Sequence, residues 1–172
     1  VSGTRVPLFS EADIATRVNV IAREIAGSAV RPEIMAPILA GSFVFAADLL
    51  RALAKLGLML PTEFLWLRSY QARESVGDVT VLAGPSQKVR GRTVLIVDGV
   101  LDHGRTIAKA RALLLGVGAS AVLTAVAVDK SRPEAVASAD FAAFVGVSGF
   151  IVGYGMDDAG AGRGLPDISV IQ

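Results

Sequence analysis

The sequence predicts an α/β protein, a mostly parallel twisted sheet flanked by helices, and three observations predict it. Aliphatic runs at 34–39, 93–97 and 121–128 read as strands buried on both faces. Helical stretches alternate with them, the pattern of parallel sheets with crossover connections. Hydrophobic residues make up 52% of 172 residues, and mean hydropathy is positive. That is material for one core and too apolar for a disordered chain.

Composition also excludes. Net charge is +1 with no basic run, which removes a nucleic-acid surface. Aromatics at 6% are too few for an RNA-stacking platform. Cysteine is absent and histidine occurs once, so disulfides, thiolate metal sites and His-rich zinc sites fall away. No apolar stretch reaches the roughly 18–20 residues of a membrane span, and the N-terminus lacks a signal layout. The expectation is a cytoplasmic protein of one domain over 1–172, with neither membrane nor nucleic acid as partner.

The elements follow in order. Ser10 is placed as an N-cap with Glu11 and Asp13 in the first turn. Ile14, Val18, Ile21 and Ile25 then share one helical face, with Gly27 as the stop. Arg5, Arg17 and Arg23 read as surface charges. The strand 34–39 ends in Ala40-Gly41-Ser42, and a helix runs over 43–56 to Gly57. Strands are expected at 63–67 and 79–82 around a polar stretch, then at 93–97. A helix over 105–115 closes on Gly116-Val117-Gly118, and strands follow at 121–128, 141–147, 150–154 and 168–171. No repeat or linker divides the chain.

In open α/β sheets, ligands gather at the carboxyl ends of strands. Here the strand 93–97 runs into Asp98-Gly99-Val100-Leu101-Asp102-His103-Gly104-Arg105-Thr106, directly before a helix. Free amides at a helix start make a phosphate site. Asp98 and Asp102 would be repelled by a phosphate, so they face hydroxyls, a cation or a base; taken alone, they read better as loop acids capping the next helix.

This segment resembles the signature with which type I phosphoribosyltransferases bind phosphoribosyl pyrophosphate (PRPP). Four further segments resemble the hypoxanthine–guanine members: 38–50, Ser69-Tyr70, Val128-Asp129-Lys130, and 150–157 with Arg163-Gly164-Leu165-Pro166. The resemblance implies the type I fold, with a small hood from about 1–9 and 150–172. It implies transfer of the 5-phosphoribosyl group from PRPP to hypoxanthine, or also guanine, giving IMP or GMP and pyrophosphate in purine salvage. It implies Mg²⁺ as cofactor and a homodimer or homotetramer.

It also implies roles. His103, Gly104, Arg105 and Thr106 would hold the 5′-phosphate, Asp98 the ribose, and Asp102 the proton at N7 of the base. Lys130 would donate to the purine 6-oxo group, Phe150 would stack on the ring, and the Ile151 backbone would read its edge. Asp157 would stand beside the base and hold Mg²⁺; Arg163 and the loop Ala40-Gly41 would grip pyrophosphate. Ser69 and Tyr70 would open a lid. Tyr154 reads as packing.

The sequence departs from the family at Gly99, where a second acid is usual, at His103 for a threonine, and at Ala40, often lysine. Asp158 stands where an aromatic is common. Two alternatives stay open: a PRPP- or nucleotide-binding regulator of the same fold, and an enzyme for another base such as xanthine.

Overall fold

The structure, a computed structural model, describes residues 3–69 and 79–172. Helix α1 (Glu11–Gly27) starts where local chemistry dictates. The Asp13 amide donates to Ser10 Oγ at 3.2 Å and the Ser10 amide donates back to Asp13 Oδ2 at 3.0 Å, a capping box that satisfies two otherwise orphaned donors. Its face of Ile14, Val18, Ile21 and Ile25 is buried, as the spacing predicts.

Strand β2 (Ile34–Leu39) leads into α2 (Phe43–Lys55), then β3 (Leu65–Ser69) and β4 (Val79–Ala83). Next come β5 (Thr93–Leu101), α3 (Arg105–Val117), β6 (Ala121–Asp129) and β7 (Phe141–Val145). The main sheet has the order β4-β3-β2-β5-β6-β7, with β4 antiparallel to β3 and the other pairs parallel. Side chains of β5 alternate between two cores: Leu95 and Val97 pack with α1 and α2, while Val94 and Ile96 pack with Ala110 and Leu114 of α3. Each such aliphatic contributes roughly 1.5–3 kcal/mol by leaving water.

This topology fixes where a ligand can go. β2 and β5 are adjacent and parallel, yet α2 leaves β2 over one face and α3 leaves β5 over the other. Their connections diverge, and a crevice opens between the two carboxyl ends.

A second sheet joins β1 (Arg5–Phe9), β9 (Ile168–Ile171) and β8 (Phe150–Val152), all antiparallel. β1 is an element the sequence does not announce: it contains Pro7 and is mostly exposed, and its pairing with Ile171 lies at the other end of the chain.

Other bounds differ too. β5 continues past Val97 through Leu101, because Val100 and Leu101 pair with Val128 and Asp129 of β6; the sheet overrides the weak strand preference of Asp and Gly. α3 runs through Gly116 and stops at Gly118, which adopts a left-handed conformation. Two arginines read as surface charges have partners. Arg17 Nε donates to the Ala143 carbonyl of β7 at 2.7 Å, and Arg5 pairs with Asp167 at 2.8 Å.

Candidate active site

The crevice is a cleft of about 640 Å³. It is lined by Ala40 and Gly41 after β2, by Asp98, Gly99, Asp102, His103, Gly104, Arg105 and Thr106 around the end of β5, and by Lys130, Phe150, Ile151, Asp157 and Arg163. Segments more than a hundred residues apart therefore meet in one place. Trp66 and Arg68 of β3 also line it, which sequence reasoning missed. Of the two lid residues, Ser69 ends β3 opposite Val79, and Tyr70 lies outside the described residues.

The turn between β5 and α3 leaves the start of that helix uncapped. Gly104 is the N-cap of α3, with φ of 76° and no side-chain capping bond, so the first-turn amides stay available. A side chain at Gly104 would also meet the Ala137 amide nitrogen at 2.8 Å. The Val136 amide donates to the His103 carbonyl at 3.0 Å and fixes the turn from behind. α1 closes its own N-terminus; α3 leaves its open to the cleft.

Asp98 lies within β5. Its Oδ1 accepts from the Gly99 amide at 2.7 Å, and among the described residues no cation pairs with it. Part of its surface faces the cleft, but the carboxyl is densely enclosed. Burial pushes it up to about 7, opposed only by the Gly99 hydrogen bond.

Asp102 is treated differently. Lys130 Nζ donates to Oδ2 at 2.8 Å, Arg132 Nε contacts Oδ1, and His103 Nδ1 lies 3.3 Å from Oδ1. Burial raises this carboxyl, but the Lys130 hydrogen bond and the charges of Lys130 and Arg132 outweigh it and hold it below the ordinary range. The contacts to Oδ1 are ion pairs without hydrogen-bond alignment. Among the described residues, Oδ1 is the buried side-chain oxygen left without a donor. Arg132 was not anticipated, its one signal being its place two residues after Lys130.

On the far wall, a Cβ at Gly99 would lie 2.7 Å from the Gly41 carbonyl oxygen, and one at Gly155 would lie 2.8 Å from the same atom. That carbonyl is clasped between β5 and the C-terminal segment, which only glycine permits at both positions. Ser42 is buried, and its hydroxyl donates back to the Ile38 carbonyl at 2.6 Å. Arg163 is anchored by Gly155, whose carbonyl accepts from Nη1 at 2.7 Å, and by Asp157, whose Oδ1 lies 2.7 Å from Nη2. Phe150 is half exposed into the cleft while Ile151 is buried. Tyr154 is buried, its hydroxyl donating to Asp48 Oδ2 at 2.8 Å; it holds the C-terminal segment on α2, the packing role expected.

No helix among the described residues is long and apolar enough to cross a membrane. No group of three or more His, Cys, Asp or Glu among them could hold a metal ion.

A doubly wound sheet with an open helix start beside two carboxylates, one within the strand and one in the turn after it, is the layout of a phosphoribosyltransferase, and the phosphoribosyl transferase domain family matches residues 10–159. A hypoxanthine-guanine phosphoribosyltransferase of Aquifex aeolicus is 33% identical over 96% of this chain and 93% of its own. The hypoxanthine phosphoribosyltransferase of Escherichia coli is 31% identical over 95% and 93%. The Trypanosoma cruzi hypoxanthine phosphoribosyltransferase in complex with the product IMP superposes with a TM-score of 0.86 at 31% identity, covering 99% of this chain and 95% of that one. The chain belongs to the hypoxanthine–guanine phosphoribosyltransferase family.

Proposed function

We propose that this protein transfers the 5-phosphoribosyl group of PRPP to hypoxanthine, with guanine as a second acceptor, releasing pyrophosphate. The observation that carries the reading is the Asp102–Lys130 pair, 2.8 Å apart, beside the open start of α3. A 6-oxopurine offers N7 and O6 side by side, one suited to a carboxylate and the other to an ammonium. An adenine 6-amino group is itself a donor and meets Lys130 unfavourably.

N9 attacks C1′ of PRPP, the bond from C1′ to the pyrophosphate oxygen breaks, and pyrophosphate leaves with that electron pair. Asp102 receives or shares the proton of the base at N7. The amides from His103 to Thr106, with the Thr106 hydroxyl, hold the 5′-phosphate, and Asp98 binds ribose hydroxyls. Phe150 stacks on the ring and the Ile151 backbone reads its edge. Arg163 and the loop Ala40-Gly41 stabilise charge on the leaving group. Mg²⁺ suits this wall, because it keeps waters and substrate oxygens and takes only one or two carboxylates. Asp157 would hold it, and the ion would supply positive charge against the pyrophosphate oxygens. Residues 69–78 would serve as the lid that excludes water, with 1–9 and 150–172 as the hood of a single domain. A homodimer or homotetramer in the cytoplasm completes the proposal.

A second reading, a PRPP- or nucleotide-binding regulator, draws on Gly99, whose space is filled by the Gly41 carbonyl rather than by an acid. One assay decides: protein, Mg²⁺ and PRPP with hypoxanthine, guanine, xanthine, adenine or uracil in turn. The expected result is IMP and GMP with little AMP. Binding without turnover for every base would favour the regulator, and product from xanthine or uracil alone would overturn the acceptor assigned.

A further inference from the structure

Lys130 carries two demands in the proposed reaction. Its side chain is 9% exposed, and its ammonium already donates to Asp102 Oδ2. When a 6-oxopurine enters, that same ammonium must also serve O6, and the base displaces the water that screens Asp102. A carboxylate left with half a counter-ion in a drying site tends to take up a proton, and a protonated Asp102 cannot accept one from N7.

The structure supplies a second cation where this problem arises. Arg132 follows β6 by three residues and lays its Nε on Asp102 Oδ1, the oxygen Lys130 does not use. The remaining guanidinium is steadied by Glu134, with Nη1 to Oε1 at 3.4 Å. Guanidinium stays charged throughout the working pH range. Arg132 is not among the residues lining the cleft; it reaches Asp102 from the loop after β6.

We propose that Arg132 is a positioning residue, the standing counter-ion that keeps Asp102 ionised and oriented while Lys130 turns to the purine. The inference rests on the reading of Asp102 and Lys130 given above. The other charged groups near Asp102 are His103 from its own turn and, along the same wall of the cleft, Asp98 and Arg105; Glu134 pairs with Arg132. Arg132 is thus the second cation on the carboxylate besides the one needed elsewhere.

The test has two arms, on wild type, Arg132→Gln and Arg132→Lys. In the first, the side-chain carboxyl ¹³C resonance of Asp102, assigned by its loss in Asp102→Asn, is followed against pH without any ligand. Removing an adjacent cation should move its midpoint up by about 1 pH unit or more, and lysine should restore most of that shift. In the second, IMP formation is measured from pH 5 to 9. Arg132→Gln should lose kcat most at the acid end and recover toward wild type at the alkaline end. An unmoved Asp102 midpoint, an equal loss at every pH, or a change confined to the KM for PRPP overturns the proposal. A wild type inert toward every purine would instead sink the functional reading, while the carboxyl titration still decides whether Arg132 governs Asp102.

Discussion

Asp98 sits inside β5 with the Gly99 amide as its hydrogen-bond donor, whereas Asp102, one residue past the strand, lies among Lys130, Arg132 and His103. Burial disfavours charge at both. The outcome differs because a strand interior brings backbone neighbours, while a turn between a strand and a helix is open to side chains from the next strand's end. The difference matches the tasks assigned: ribose hydroxyls can be bound by a carboxyl in either protonation state, but a group that takes a proton must begin ionised.

The largest effect should come from Asp102→Asn. Proton transfer of this kind is worth about 10²–10⁴-fold, so kcat for IMP should fall by that order while calorimetric PRPP affinity changes little. Equal losses in both would erase the distinction between the two aspartates.

Gly99→Asp puts a second acid beside Asp98. Its Cβ falls 2.7 Å from the Gly41 carbonyl oxygen, so overpacking should cost about 1–3 kcal/mol and PRPP affinity should drop rather than improve. Gly99→Ala, read by thermal unfolding, separates the steric part from the added charge; a stable Gly99→Asp protein with tighter PRPP binding would mean the loop yields freely.

The pH dependence of stability sharpens the contrast further. Asp98 is raised to about 7 against an unfolded value of about 3.9, so the native state binds the extra proton and stability falls as pH rises from about 4 through 7. With allowance for its partial exposure, the total fall across that range amounts to about 2 kcal/mol. Urea unfolding at pH 5 and pH 8 should show it in wild type and not in Asp98→Asn. Asp102, held low, has the opposite sign: its contribution is present above its unfolded value and lost as pH falls through the folded one. The smallest effect is at a carboxylate outside the cleft lining: Tyr154→Phe removes the hydrogen bond to Asp48 and should cost about 1 kcal/mol in thermal unfolding, with kcat unchanged.

What could be read in the sequence was what local chemistry decides. The Ser10–Asp13 cap, the helical face of α1 and the aliphatic strands are written within a few residues of where they act. Many of the residues lining the cleft were legible as well, since strand ends in such sheets converge and the family resemblance ordered them, but Trp66 and Arg68 of β3 were not. Their partners were not. Nothing near Asp102 in the chain says that Arg132 will touch it, nothing near Arg17 names the Ala143 carbonyl, and β1 becomes a strand only because the far terminus pairs with it. Long-range contacts are consequences of the assembled sheet.

The clasped carbonyl of Gly41 ties the two halves of the cleft together. Gly99 belongs to β5, beside Asp98, and Gly155 to the segment carrying Asp157 and Arg163, yet both abut one oxygen. A side chain at either position must shove the same atom, so their substitutions should not add: once the first has displaced the loop, the second finds the room already made. The loop at Gly41 is thereby coupled by steric contact to both β5 and the C-terminal segment, so a displacement at one is felt at the other.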